Sequence, residues 1–145
     1  KKTFNLALGA RTAEEAKITI GAAAMLEEEL RVTIKGRDFI QGLPRSAQVG
    51  TNEIVRAIDA ELKQIVKAIK DVLQETPPEL ASDIIDHGII MTGGSSQLRN
   101  LTDLVYRKTG VKATLAEDAL YCVVKGTGIA LDHLDVYKKA VLSKK

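Results

Sequence analysis

The chain has 145 residues, 45% of them apolar and 28% charged, with a formal net charge of +2. A chain of this length buries roughly 70% of its unfolded surface, so the composition is that of a globular protein and excludes a disordered one. Aromatics at 3% with no Trp give no stacking platforms for single-stranded nucleic acid, and the charge is too small to draw the chain onto a phosphate backbone.

No nucleic-acid partner is therefore expected. The single cysteine, Cys122, excludes an internal disulfide framework and a Cys-rich zinc site. No run approaches the roughly 18 to 20 apolar residues of a membrane span, and residues 1–21 lack a signal-peptide core. A soluble, cytoplasmic chain is the expectation.

In chain order, the apolar run Phe4 to Leu8 stops at Gly9. Thr12-Ala13-Glu14-Glu15 has the spacing of a capping box, which predicts that Thr12 starts a short helix ending near Gly21. Leu30 to Lys35 alternates apolar and charged residues, the pattern of a half-buried strand, with Ala47-Gln48-Val49 as its partner after the turn at Gly42 and Pro44.

From Thr51 the period changes. Ile54, Val55, Ile58, Leu62, Ile65, Val66, Ile69, Val72 and Leu73 recur at three- and four-residue steps, predicting an amphipathic helix through Glu75. Thr76-Pro77-Pro78-Glu79 then reads as the capped start of another helix, with Pro77 at its first position. Gly88 to Met91 reads as a buried strand. A helix carrying Leu98, Leu101, Leu104 and Val105 follows and stops at Gly110. Val111 to Leu115 is a second strand, Ala119 to Leu131 a helix interrupted by glycines, and a last short helix carries Leu134 and Val136. This βαβα order predicts a parallel sheet with sites at the carboxyl ends of its strands.

Three constellations bear on chemistry. Thr92-Gly93-Gly94-Ser95-Ser96 lies between strand and helix, where paired glycines let a backbone approach phosphate or ribose oxygens. The same pattern also serves as a tight turn capped by Ser96. Glu14 and Lys17 are neighbours on one helix face. They suit a ribose hydroxyl and an adenine ring, or else form a plain surface ion pair. Lys138, Lys139, Lys144 and Lys145 suit an anionic lipid surface, or form a solvated terminus. His87 and His133 have no ligand cluster beside them, so no metal site is expected, and Cys122 reads as packed core.

Five segments together resemble the rod-shape-determining bacterial actins of the MreB kind. Arg11 to Ile18 resembles "RTAExxK", and Gly36-Arg37-Asp38 with Gly42-Leu43-Pro44 resembles "GRDLxxGLP". Thr76 to Ile84 is similar to "TPPELxxDI", and Met91 to Gly94 to "LTGGG". Ala116-Glu117-Asp118 with Cys122-Val123 and Gly126-Thr127-Gly128 is similar to "AEDPLxCVxxGTG". The chain departs from these patterns at Ala10, Ser95 and Ala119.

The resemblance implies an α/β, actin-like ATPase (ribonuclease H-like) fold, present in part. It implies a small outer lobe of the second domain at 1–50, a long helix and the latter part of the inner lobe at 51–134, and a C-terminal helix with a lysine tail at 135–145. ATP or ADP with Mg is the implied cofactor. The resemblance implies that Glu14 and Lys17 border the adenosine, that Gly93, Gly94 and Ser95 lie against the nucleotide from the other side with Ser96 adjacent, and that the Mg ligands lie outside this chain. Phosphate loops and the acid that orients the attacking water lie upstream in the family. No match to them occurs here, so the chain alone is expected not to hydrolyse ATP. Implied partners are further copies in a filament, the missing N-terminal half, and the inner membrane face. The alternatives are a nucleotide-independent interaction module, or another actin-like ATPase such as a sugar kinase or chaperone.

Overall fold

A computed structural model of the chain describes residues 3–142, with side chains described through Lys138. Lys144 and Lys145, and the side chain of Lys139, lie outside the described residues. Strands β1 (Leu6–Ala7), β2 (Arg31–Asp38) and β3 (Pro44–Gly50) form an antiparallel sheet in the order β1-β2-β3. Helix α1 (Ala10–Ile20) covers one face of it. The alternation seen in the sequence sorts the two faces: Ile34 is buried with Leu6, Ala16, Ile20 and Val49, while Lys35 is exposed. Burial on one face holds the register, because a slip of one residue would turn Ile34 to water.

The expected capping box at Thr12 does not form. Helix α1 starts earlier, with Gly9 as N-cap and Ala10 inside the helix, so Thr12 sits in the first turn. Glu15 pairs instead with Arg11, one turn back.

Helix α2 (Thr51–Glu75) has the bounds its periodicity predicts. It sets Val55, Leu62 and Val66 inward. Its first turn is anchored to the preceding loop: Thr51, fully buried, donates from its backbone N–H and its hydroxyl to the Leu30 carbonyl. The Asn52 amide exchanges two hydrogen bonds with the backbone of Leu26, and Glu53 accepts from the Gly50 N–H. The backbone N–H groups of Leu26, Gly50 and Thr51, donors that would be orphaned at a helix start or in the loop beside it, are thereby satisfied.

Helix α3 (Pro78–His87) is capped by Pro77, with Pro78 as its first residue. Thr76 was expected to start this helix, but its hydroxyl donates to the Val72 carbonyl and closes the end of α2. Strand β4 (Ile89–Met91) pairs in parallel with β5 (Ala113–Leu115), as the βαβ order predicts. The strand is not buried as expected, since Ile90 is 70% exposed. The expected helix after the glycines is broken in two. A 3-10 turn covers Gly94–Gln97, the chain extends at Leu98, Asn100 turns through a left-handed conformation, and only then does α4 (Leu101–Thr109) begin.

Beyond β5, a 3-10 turn at Ala119–Tyr121 leads into α5 (Cys122–Asp132), followed by α6 (Leu134–Leu142). Cys122 is half-buried rather than packed in the core, with its thiol 3.6 Å from the Glu117 carbonyl. Among the described residues no helix is long and apolar enough to cross a membrane.

Candidate functional site

The site is built where α1 ends against the loop that follows β4. Within α1, Lys17 and Glu14 lie one turn apart, and the ammonium sits 2.8 Å from the Glu14 carboxylate. Their side chains are 39% and 55% exposed. The three-residue spacing puts both on one helix face, and the carboxylate fixes the direction of the lysine stem.

Gly21 ends the helix by donating its N–H to the Lys17 carbonyl. A Cβ here would stand 2.3 Å from that carbonyl and 3.0 Å from a Leu98 methyl, so only glycine lets the chain pass this close to the opposite loop. Beyond it, Ala22 bridges to Arg99 and the Ala23 N–H donates to the Arg99 carbonyl at 2.7 Å. The Arg99 guanidinium reaches back to the Thr19 carbonyl at 2.9 Å. The two elements are thus stitched together by backbone and side chain.

On the other side, Gly93 leaves β4 with φ +85 and ψ 163, a conformation reserved for glycine. Its N–H donates to the Ala119 carbonyl at 2.7 Å, and its own carbonyl accepts from the Ser96 hydroxyl at 2.6 Å. Ser96 is buried and spends its hydroxyl inside the turn. Gly94 and Ser95 face outward.

Lys17, Gly94 and Ser95 line one cavity of about 580 Å³, within the roughly 300–1,000 Å³ typical of small-ligand sites. Ile18 and Gly21 complete its α1 wall, Ile58, Glu61, Leu62 and Ile65 form an α2 wall, and Gln97, Leu98, Arg99 and Leu101 close it beyond the glycines. Glu14, Gly93 and Ser96 are not among the lining residues: Glu14 is paired with the lining residue Lys17, and Ser96 bonds to Gly93 within the turn. Lys138 lies on α6 and is not among the lining residues. Among the described residues no group of three His, Cys, Asp or Glu side chains is placed to hold a metal ion.

Sequence reasoning missed Arg99. An arginine three residues past a serine pair carries no periodic or spacing signal, and its partner Thr19 is distant in sequence.

The family described as MreB/Mbl protein matches residues 1–139. The chain belongs to the MreB/Mbl family. It is similar to the cell shape-determining protein Mbl of Bacillus subtilis (strain 168), 40% identical over 143 residues covering 99% of this chain and 43% of that one. It is similar in structure to MreB5 of Spiroplasma citri bound to ADP, with a TM-score of 0.86 and 32% identity over 99% of this chain and 43% of that one. The MamK double helical filament shares the fold at TM-score 0.66 and 21% identity, covering 81% of this chain and 35% of that one. This MreB/Mbl chain therefore carries part of an actin-like α/β fold and spans about 43% of the length of the Bacillus subtilis and Spiroplasma citri relatives. Membership of MreB/Mbl sets aside the sugar-kinase and chaperone alternatives.

Proposed function

We propose that this chain serves a nucleotide-dependent filament subunit of the cell-shape class, and that it carries the adenosine side of the ATP or ADP pocket. The observation that carries the reading is the shared cavity: Lys17 from α1 and Gly94 and Ser95 from the glycine loop line one space. The apolar walls at Ile58, Leu62 and Leu98 suit a purine, the Lys17 stem can lie along it, and Glu14 beside Lys17 offers a carboxylate to ribose hydroxyls. A relative of similar structure, MreB5 of Spiroplasma citri, is bound to ADP, and MamK forms a double helical filament.

In this reading residues 1–50 act as the outer lobe and 51–134 as part of the inner lobe. The lysine-rich end from Lys138 onward supplies a cationic contact for anionic lipid at the inner membrane face. The groups that hold Mg and position the attacking water belong to the rest of the longer fold.

Titration calorimetry with ADP and with ATP tests the pocket. The native chain binds, and a Glu14→Ala, Lys17→Ala double variant does not. Equal heats from both proteins would remove the adenosine seat from this site.

A further inference from the structure

Five side chains bring polar groups to the cavity wall: Lys17, Glu61, Ser95, Gln97 and Arg99. Two of them are already committed. The Lys17 ammonium pairs with Glu14, and the Arg99 guanidinium donates to the Thr19 carbonyl. Ser95 and Gln97 belong to the glycine corner and the turn that follows it. Glu61 stands across from them as the one polar side chain that α2 gives to the wall.

Nothing on its own helix neutralises this carboxylate. The positions one turn away are Ala57, Ile58, Gln64 and Ile65, none of them a cation. The neighbouring acids of α2 differ: Asp59 pairs with Lys63, and Asp71 with Lys67. Glu61 enters no ion pair among the described residues. It borders Ile58, Leu62 and Ile65, the apolar surface against which a purine would lie.

This arrangement gives the cavity a polarity. An ionised carboxylate is an acceptor only, and it repels phosphate. The opposite side carries the Lys17 ammonium and the glycine corner. A nucleotide therefore enters with its phosphates toward Lys17 and the corner, and its base toward α2. The edge of a purine furthest from its sugar then meets Glu61. In adenine that edge carries an exocyclic amine, a donor suited to a carboxylate.

We propose that Glu61 is a specificity-determining residue whose carboxylate accepts from the exocyclic amine of adenine. The pocket then prefers a purine bearing that amine to one without it, because the analogue leaves the carboxylate without its donor. This rests on the nucleotide reading above and names the group that recognises the base.

Two nucleotides and two proteins test the contact by titration calorimetry. The nucleotides are ADP and the diphosphate of unsubstituted purine riboside, which differ only in the amine. The proteins are the native chain and Glu61→Ala, a change to the best helix former at an exposed position, with circular dichroism as the folding control. The native chain should bind ADP about tenfold more tightly than the amine-free analogue, the margin of one hydrogen bond to a charged group. Glu61→Ala should weaken ADP about tenfold, leave the analogue unchanged, and so erase the margin. A disturbed wall cannot produce that pattern, since it lowers both affinities together. A variant that keeps the native margin, or that weakens both nucleotides equally, would overturn the contact and leave the adenosine seat standing. So would a native chain that binds the two nucleotides alike. ADP binding that is absent, or that ignores the Glu14→Ala, Lys17→Ala double variant, would overturn both.

Discussion

The guanidinium of Arg99 donates to the carbonyl of Thr19 across 2.9 Å, tying the last turn of α1 to the segment beyond the glycine loop. The two lips of the candidate pocket are thereby held at a set width. Arg99→Ala should lower stability by about 1 kcal/mol, the net worth of an ordinary hydrogen bond lost at an accessible site. It should also weaken ADP binding by about tenfold, because the lips are no longer held together. Urea melts and calorimetric titration separate the two effects. Arg99→Lys should not restore affinity, since a point charge on a flexible stem cannot copy a planar donor set.

The Glu14–Lys17 pair should behave in the opposite way. Both side chains are substantially exposed, and ion pairs of that kind contribute little to folding. The double alanine variant should keep its urea midpoint, within about 0.5 kcal/mol of native stability, while losing nucleotide. A large fall in the midpoint would mean that the pair is structural.

Gly93 is the backbone test of the same corner. Its φ of +85 with ψ of 163 is barred to side-chain-bearing residues, although open space surrounds the position of a Cβ. Gly93→Ala should therefore cost about 1–3 kcal/mol through the main chain alone. Gly126→Ala, at an open site within α5 without positive φ, should be neutral or slightly stabilising. Parallel thermal melts compare them.

Acid should loosen the tip of the β2–β3 hairpin. The N–H of Gln41, then that of Ile40, then Arg45 hold the Asp38 carboxyl below its ordinary 3.8. A depressed carboxylate contributes stability that is fully present above its unfolded value and is lost as pH falls through its folded value. The tip should therefore be intact at neutral pH and open on acidification below about 4. Asp38→Asn should remove this dependence, and the amide resonances of Ile40 and Gln41 report it directly.

Much of the fold was legible where a period ran long enough. Helix α2 repeats its apolar steps over 25 residues, so its bounds agree with the sequence pattern at both ends. The β2–β3 pair was legible from alternation. Caps were less so, because a hydroxyl can serve either neighbouring helix. Thr76 closes α2 instead of opening α3, and Thr12 lies inside a helix that starts at Ala10. The break between Gln97 and Leu101 was hidden, since nothing local forces Asn100 into its left-handed turn except the bond from Ala23 to Arg99. Glu14, Lys17 and the glycines stood out by type and spacing only as candidates, equally readable as an ion pair and a tight turn, and it was the family resemblance that singled them out. Arg99 did not stand out, because its role exists only through a partner brought near by folding.

Strands β4 and β5 form a ladder of only two three-residue strands, which is short for a self-supporting sheet. The glycine corner thus hangs from a short ladder on one side and, on the other, from the backbone bond of Ala23 to Arg99 and the Arg99 guanidinium. A small molecule bridging α1 and the corner would act as a splint, slowing amide hydrogen exchange at Ile89, Ile90 and Met91 without moving them. Occupancy would then be felt as stiffness, before any change of shape.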